Sequence, residues 1–559
     1  MQKILKIFSR EYGNINQAAL LLGCFTFLSQ ILALFRDRFI AHFIGPSASL
    51  DAYYTAFRVP DLIFISIASL ASIMVLIPFI VNKMDGDKVT DNARKLLNEV
   101  FTVFFFAIVF VSVLVFLFMP FIISFVAPGF TDDMQEKVIL FSRIMLLSPI
   151  LLGLSNLFGT ITQLFKKFFL YSLSPIFYNL GIIIGVVFLS PLFGVKGLVF
   201  GVVLGALMHF LIQLFASSGC GFSMKFTSNI DFTEIKKIAL TSLPRTLGLS
   251  FNNITLIAII AFASYLSEGS ISIFNLSFSL QSVPLNIIGI SYAVAAFPTL
   301  VKSFSGQKDS EFKNHLKSTA RQIVFWSLPI VFLFIVLRAQ IVRVILGSSN
   351  FTWDNTKLVA ASLAIFSISV LAQGMVALLS RAYYAMNNTK RPLYINLFSS
   401  IVIVALSYIF LKVFHDVPFF RYFIESLLKV TDIKGTEVLM LPLAYSVGVI
   451  LNFILHLIFV KRDLMNNESL IFKTFFQSLG ASFVLGLVSY LSLNVFSHVF
   501  DIDTFVGIFL QGFISGILGI CAGIFVLHVL KNEELKDLTE TLKTKFWRTK
   551  VLASPQEEL

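Results

Sequence analysis

The sequence predicts an all-α polytopic membrane protein, and three observations carry that prediction. Of 559 residues, 57% are hydrophobic and only 13% charged, with a mean hydropathy of +0.86; a soluble chain holds nearer one-quarter charged residues. Apolar stretches of about 20 residues, the length of a bilayer-crossing helix, recur from one end to the other. Lys and Arg collect in alternate connecting loops, the pattern of a membrane protein that keeps positive charge on one side.

Taken in order, the apolar runs fall at 17–34, 52–81, 99–126, 138–163, 170–191, 196–217, 238–265, 270–300, 322–347, 356–384, 393–413, 438–460, 472–495 and 505–530. That is about 14 spans, each near the length a bilayer needs. With the N-terminus inside, the inward loops hold Lys83, Lys88, Arg94 and Lys95, then Lys302, Lys308, Lys313, Lys317 and Arg321. The outward loops are poorer in cations, and the even count places both termini on the cytoplasmic side. The opening stretch MQKILKIFSREYGN is basic and amphipathic, lacks a small-residue cleavage site, and reads as a retained cytoplasmic helix. The loop 413–437 is long enough for a short interfacial helix. The tail from 531 reads as a mixed-charge cytoplasmic helix.

Two pieces of the chain recur. Val59-Pro60 opens a stretch rich in Ile, Ser and Ala that ends at Pro78, and Val283-Pro284 opens a similar one ending at Pro298. Pro175-Ile-Phe-Tyr-Asn179-Leu180 returns as Pro392-Leu-Tyr-Ile-Asn396-Leu397. The similar offsets predict a duplicated six-span unit in one orientation, hence two bundles about an axis along the membrane normal with a site between them. The expected domains are 1–217 and 218–460 as two pseudo-symmetric six-helix bundles, 461–530 as two additional helices, and 531–559 as a tail. Proline removes a backbone donor and crowds the preceding turn. Pro60, Pro78, Pro284 and Pro298 are therefore the expected hinges.

No nucleotide-binding glycine loop, zinc-protease motif or serine-hydrolase elbow appears, so no enzyme and no cofactor is expected. Cys24, Cys220 and Cys521 are too dispersed for a metal site or a disulfide framework. The net charge of +12 lies in loops, which points to topology and anionic headgroups, with no nucleic-acid partner. Energy for transport must then come from the membrane potential, the substrate gradient or a coupling ion.

The informative residues are charges inside apolar segments. Arg36, Asp37, Asp51, Arg58 and Asp61 lie at the ends of, or within, the first two spans, and Arg245 opens the seventh. An ionised side chain at mid-bilayer costs from about 2.5 to over 10 kcal/mol, so such residues usually face a polar cavity. Arginine stays charged when partly dehydrated, and its fork binds phosphate oxygens in pairs; a cationic cavity suits an anion such as a pyrophosphate. Asp51, Thr55 and Arg58 share one helical face by spacing, with Asp51 also placed to cap its own helix. Asn252, Asn275, Ser277, Ser279 and Gln281 are expected either to line the second half of the cavity or to join helices by hydrogen bonds. Arg38 reads as an interfacial arginine reaching headgroups.

The run Ser29-Gln30 to Arg36-Asp37, then Phe43-Ile44-Gly45, then Asp51 to Leu62, resembles the N-terminal signature of the MurJ/MviN lipid II flippases, of the multidrug/oligosaccharidyl-lipid/polysaccharide exporter superfamily; Ala127-Pro128-Gly129-Phe130 is also similar. The chain departs from that pattern at Ser29-Gln30, where the family often has Ser-Arg, at Phe64-Ile65 and Ser69 to Ser72, and near Ser277 to Ser279, where an arginine is expected. The resemblance implies a flippase of the bacterial inner membrane. It moves lipid II, the undecaprenyl-pyrophosphate-linked disaccharide-pentapeptide of cell-wall synthesis, from inner to outer leaflet by alternating access. The substrate-binding set is then Arg36, Asp37, Asp51, Arg58, Asp61, Arg245, Asn252 and Gln281, with the last two spans forming a groove for the lipid tail. An ion-coupled exporter of drugs or polysaccharide-linked lipid stays open as an alternative, as does a non-transporting scaffold.

Overall fold

The structure, a computed structural model, describes residues 15–68, 76, 79–80, 83–84, 90–165, 167–218, 225–464 and 471–546. Pro78, Cys220, the basic opening stretch and the last thirteen residues lie outside that set, as does the side chain of Arg245. Among the described residues no strand forms; the chain is a succession of helices.

Among the described residues, twelve helical segments are long and apolar enough to cross a bilayer, from Asp91–Val126 to Phe505–Val529. The expected first and second spans stand outside those twelve: α1 (Ile15–Phe43) is continuous, while the second is divided into α2 (Ala48–Ala56) and α3 (Arg58–Ala68). The multi-span class follows directly, and the count of fourteen does not. The remaining first-half helices are α4 (Asp91–Val126), α5 (Asp132–Met145), α6 (Leu147–Leu164), α7 (Phe168–Ile184) and α8 (Val195–Ser218). Then come α9 (Phe232–Ala263), α10 (Ser270–Pro284), α11 (Ser291–Ser305), α12 (Asp309–Val336), α13 (Arg338–Leu346), α14 (Trp353–Ala385) and α15 (Lys390–Asp416). α16 (Pro418–Leu428), α17 (Met440–Asp463), α18 (Phe472–Phe496), α19 (Phe505–Val529) and α20 (Glu533–Phe546) complete the chain.

Contacts divide the chain into two compact units, one of residues 1–283, 342–369 and 387–455, the other of 284–341, 370–386 and 456–559. In the first unit, a large apolar core gathers Ile40, Tyr53, Leu97, Ile108, Ile123, Leu157 and Val202. A second cluster gathers Ile259, Phe274, Phe366 and Tyr445. Lipid tails offer helices no hydrophobic incentive to associate, so close backbone approach and hydrogen bonds must hold them. α7 and α8 show both. A Cβ on Gly181 would lie 2.3 Å from the Gly205 Cα, and one on Gly185 2.4 Å from the Gly201 Cα. Gln213 of α8 then ties three helices, donating to Ser174 Oγ of α7 at 2.6 Å and accepting from Thr162 Oγ1 of α6 at 3.0 Å.

The second unit repeats the device. Gly519 of α19 faces Ser489 and Leu485 of α18, and Gly486 of α18 faces Phe332 of α12. Its tail is docked: Lys473 Nζ and Arg321 reach Glu533 at 2.7 and 3.4 Å, Thr474 donates to Glu534 at 2.7 Å, and Leu535 closes over Phe325 and Ala481.

The loop after the eleventh expected span forms α16. Arg421 and Thr436 both donate to Glu425, while Phe419, Tyr422, Phe423 and Leu427 stay exposed along one side. That is the face of a helix lying in a membrane interface.

The two Val-Pro sites coincide with helix irregularities. Pro60 has no N–H to offer the Ala56 carbonyl, the chain breaks at Phe57, and Ser142 Oγ donates to that carbonyl at 3.2 Å instead. After Pro284 the helix widens into a π segment, Leu285–Ile290. Its Gly289 meets Gly374 of α14 so closely that a Cβ would lie 2.6 Å from the Gly374 Cα. Pro298 sits inside α11.

Candidate functional site

Four charged residues of the first two expected spans converge on one cavity within the first unit. Arg36 and Asp37 of α1, Tyr53 and Tyr54 of α2, Phe57, Arg58 and Asp61 at and after the break, Tyr178 of α7 and Asn275 of α10 line about 170 Å³. At ~30 Å³ each, that space holds about six waters. It is smaller than the ~300–1,000 Å³ usual for a drug-sized ligand.

The two arginines are held differently. Arg36 is pinned: Nε and Nη2 donate to Asp37 Oδ1 at 2.9 and 2.8 Å, and Nη1 donates to Asn179 Oδ1 at 3.0 Å. Asp37 accepts on its other oxygen from Ser279 of α10. Asn179 is itself oriented by donating to the Pro175 carbonyl at 3.1 Å and to Ser29 Oγ at 3.4 Å. Among the described residues the Arg58 guanidinium has one hydrogen bond, Nη2 to Asn275 Oδ1, while its Nε is buried with no partner. Asn275 is fixed by donating to the Ile271 carbonyl at 2.7 Å. Arg58 thus lines the cavity with donor capacity unspent. A buried guanidinium N–H lacking an acceptor is unfavourable, and an entering anion would relieve it.

A second constellation closes the end of the bundle where α1 turns into α2. Asp51, 3% exposed, accepts from the Gly269 N–H at 2.7 Å, the Ser272 N–H at 2.7 Å and Ser272 Oγ at 2.6 Å. It therefore caps α10 from another helix, placing a carboxylate on the positive end of the α10 dipole. Its own helix is capped by Ser47, which accepts from the Leu50 N–H at 3.4 Å. Arg38 does the converse, donating to the Val344 and Ile345 carbonyls at 2.6 and 3.2 Å, at the negative end of α13. Asn350 donates to the His42 carbonyl at 2.8 Å, and the Gly129 N–H to Ser264 Oγ at 2.9 Å. These bonds join parts of the chain before and after residue 217, all within the first unit.

Sequence comparison decides the family. A family model described as MurJ, lipid II flippase, matches residues 40–511. This chain belongs to the MurJ family of lipid II flippases. A probable lipid II flippase MurJ of Buchnera aphidicola subsp. Acyrthosiphon pisum is 28% identical over 394 residues, covering 69% of this chain and 76% of the relative. Among solved structures, a lipid II flippase MurJ in an inward closed conformation superposes with a TM-score of 0.73 at 22% identity, covering 93% of this chain and all of that one. An inward-facing multidrug transporter of the MATE family of the MOP superfamily gives 0.61 at 14% identity over 79% of this chain and 96% of that one. The fold of this MurJ-family chain is thus shared with both transporter types.

Of the residues singled out in the sequence, Arg36, Asp37, Arg58 and Asp61 meet at the cavity of this MurJ-family member. Asp51 does not line it, because its carboxylate is taken up by the Gly269 and Ser272 donors at the start of α10. Asp51 and Arg58, expected on one face, both reach α10, at Ser272 and Asn275, and Arg38 meets carbonyls where headgroups were expected. Gln281 is buried on α10 and Asn252 is exposed on α9; neither lines the cavity. Ser279 reaches it through Asp37. Sequence reasoning missed Tyr53, Tyr54, Tyr178 and Asn179 as members of the site. The signal was present: Tyr178 and Asn179 sit in the repeated Pro-x-x-x-Asn piece. Its second copy places Asn396 to accept from Asn452 at 3.0 Å.

Proposed function

We propose that this protein carries lipid II from the inner to the outer leaflet of the bacterial cytoplasmic membrane, supplying cell-wall synthesis. The observation that carries the reading is an arginine with an unspent N–H lining a buried cavity, in a chain of this family. Arg58 and Arg36 take the diphosphate, Asp37 and Asn179 hold Arg36 in place, and the polyprenyl tail stays in lipid beside the last two spans, within 461–530. Both termini are cytoplasmic in this reading, so the Asp51 and Arg38 constellation closes the outer face.

The cavity at its present volume accommodates a diphosphate and excludes the disaccharide-pentapeptide, so the cycle must widen it. Two lobes, 1–217 and 218–460, then rock about the Pro60 and Pro284 irregularities, with Pro78 and Pro298 completing the hinge set. Lipid II is anionic, and unit charge moved through 100 mV is worth ~2.3 kcal/mol, so the membrane potential favours outward delivery. Asn252, Gln281 and Arg245 belong to the second lobe and would join the site in a wider state. The test is depletion of the protein in cells followed by a leaflet assay for lipid II. Loss of outer-leaflet lipid II, restored by the wild type and not by Arg58→Ala at equal abundance, is the expected result. Unchanged delivery on depletion overturns the reading.

A further inference from the structure

The charges of the cavity sum to zero. Arg36 is neutralised by Asp37 at 2.8 Å, and Asp37 is further engaged by Ser279. That leaves Arg58 as the cation with donor capacity to spare, and one turn along the same helix is Asp61, which also lines the cavity. Among the described residues the Asp61 carboxylate forms no hydrogen bond or ion pair; the charge acting on it is that of Arg58, through space. An ionised Asp61 thus faces the same volume as the diphosphate and repels it. In a low-dielectric cavity such a like-charge encounter is poorly screened.

From this geometry, and resting on the function proposed above, we infer that Asp61 takes up a proton from solvent when the diphosphate binds. The proton converts the carboxylate to a neutral acid, leaves the Arg58 charge uncompensated, and gives Asp61 an O–H that can donate to a phosphate oxygen. Binding and protonation then favour each other reciprocally, as linkage requires.

Among the described residues, the neighbours of Asp61 offer no other group for the role. α1 presents Arg36 and Asp37, already paired; α2 presents the phenols of Tyr53 and Tyr54, and α7 that of Tyr178. α6 carries no charged residue. On α9, Glu234 is engaged with Lys83 at 2.6 Å, and the helix meets α3 through Ser250 and Ser66. On α4, Glu99 sits 3.8 Å from Lys95, and on α5 Arg143 lies over the Phe116 ring at 4.7 Å. α10 contributes the neutral Asn275.

The experiment is calorimetric titration of the full-length protein in nanodiscs with lipid II, in two buffers of different ionisation enthalpy. Because both phosphates of the diester stay ionised from about pH 5 to 8, a buffer-dependent heat reports protons taken up by the protein. The wild type is expected to take up close to one proton where Asp61 is ionised in the free protein. Its affinity should then fall by up to about tenfold per pH unit as pH rises. Asp61→Asn should bind with no uptake and a flat pH profile. Binding by the wild type without proton uptake, or the same uptake in Asp61→Asn, overturns the inference and leaves the cargo intact. No binding of lipid II by the wild type overturns the cargo, and the inference with it. Should Asp61→Asn fail to fold, the wild-type comparison between buffers still decides.

Discussion

Asp51→Asn should unlatch the end of the bundle that α2 and α10 close. The wild-type carboxylate accepts three short hydrogen bonds, two from backbone N–H groups of Gly269 and Ser272 and one from Ser272 Oγ. An asparagine keeps one accepting oxygen and turns an NH2 toward one of those donors. It also removes the charge at the α10 N-terminus. Hydrogen bonds to a charged group are worth ~1.5–3 kcal/mol each, and the dipole contribution ~0.3–1 kcal/mol. Allowing for non-additivity, the closed arrangement should lose ~2–4 kcal/mol. At 1.4 kcal/mol per tenfold, that is about a 30- to 1,000-fold shift toward the open arrangement. The assay is a spin-label distance between cysteines placed at the exposed Phe43 and Tyr265, with Cys24, Cys220 and Cys521 replaced by serine. The variant should gain a longer-distance population in nanodiscs. Ser272→Ala, which removes one such bond, should give a shift of about 10- to 100-fold. A folded Asp51→Asn protein with the wild-type distance distribution would refute the argument, leaving Asp51 as a static cap.

Three other outcomes are expected. Arg58→Ala should weaken lipid II binding by at least about tenfold, the worth of one charge-assisted phosphate contact, and Arg58→Lys should restore only part of it because a point charge replaces a fork; titration calorimetry checks both. Gly201→Ala should destabilise by ~1–3 kcal/mol, because its Cβ would lie 2.6 Å from the Gly185 Cα and backbone there has no room to give; thermal unfolding in detergent reads the loss. Hydrogen bonding and charge from Lys473, then Arg321, lower the Glu533 carboxyl below its ordinary range. Its contribution to tail docking is therefore complete above about pH 4.3 and is lost as pH falls through the lowered value, which limited proteolysis of α20 at pH 7 and again well below pH 4 should reveal.

The helices were legible because each is a long apolar run with a basic or turn-forming end, and Phe168–Phe193 or Phe505–Val529 could be bounded to within a few residues. The cavity was legible through its charges, since Arg36 and Arg58 are costly in lipid and must face something polar. The tyrosines carry no such cost. In sequence, Tyr53, Tyr54 and Tyr178 look like any amphipathic side chain, and only the meeting of α2 with α7 makes them one wall. Asp51 was misplaced for a related reason. Its partners, Gly269 and Ser272, lie far along the chain, and local spacing favoured a cap on its own helix. The break at Phe57 could be suspected from Pro60, but the rescue of the Ala56 carbonyl by Ser142 depends on how α5 is seated.

The glycine seam between α7 and α8 has a mechanical consequence. Two rods whose main chains touch at Gly181 with Gly205 and Gly185 with Gly201 have no side-chain cushion to compress or slide. They behave as a single strut, and Gln213 pegs α6 to it. Because Asn179 rides on that strut and grips Arg36, any swing of the pair hauls the guanidinium along rather than leaving it behind. A stroke delivered anywhere on α8 is therefore felt at the Arg36 guanidinium.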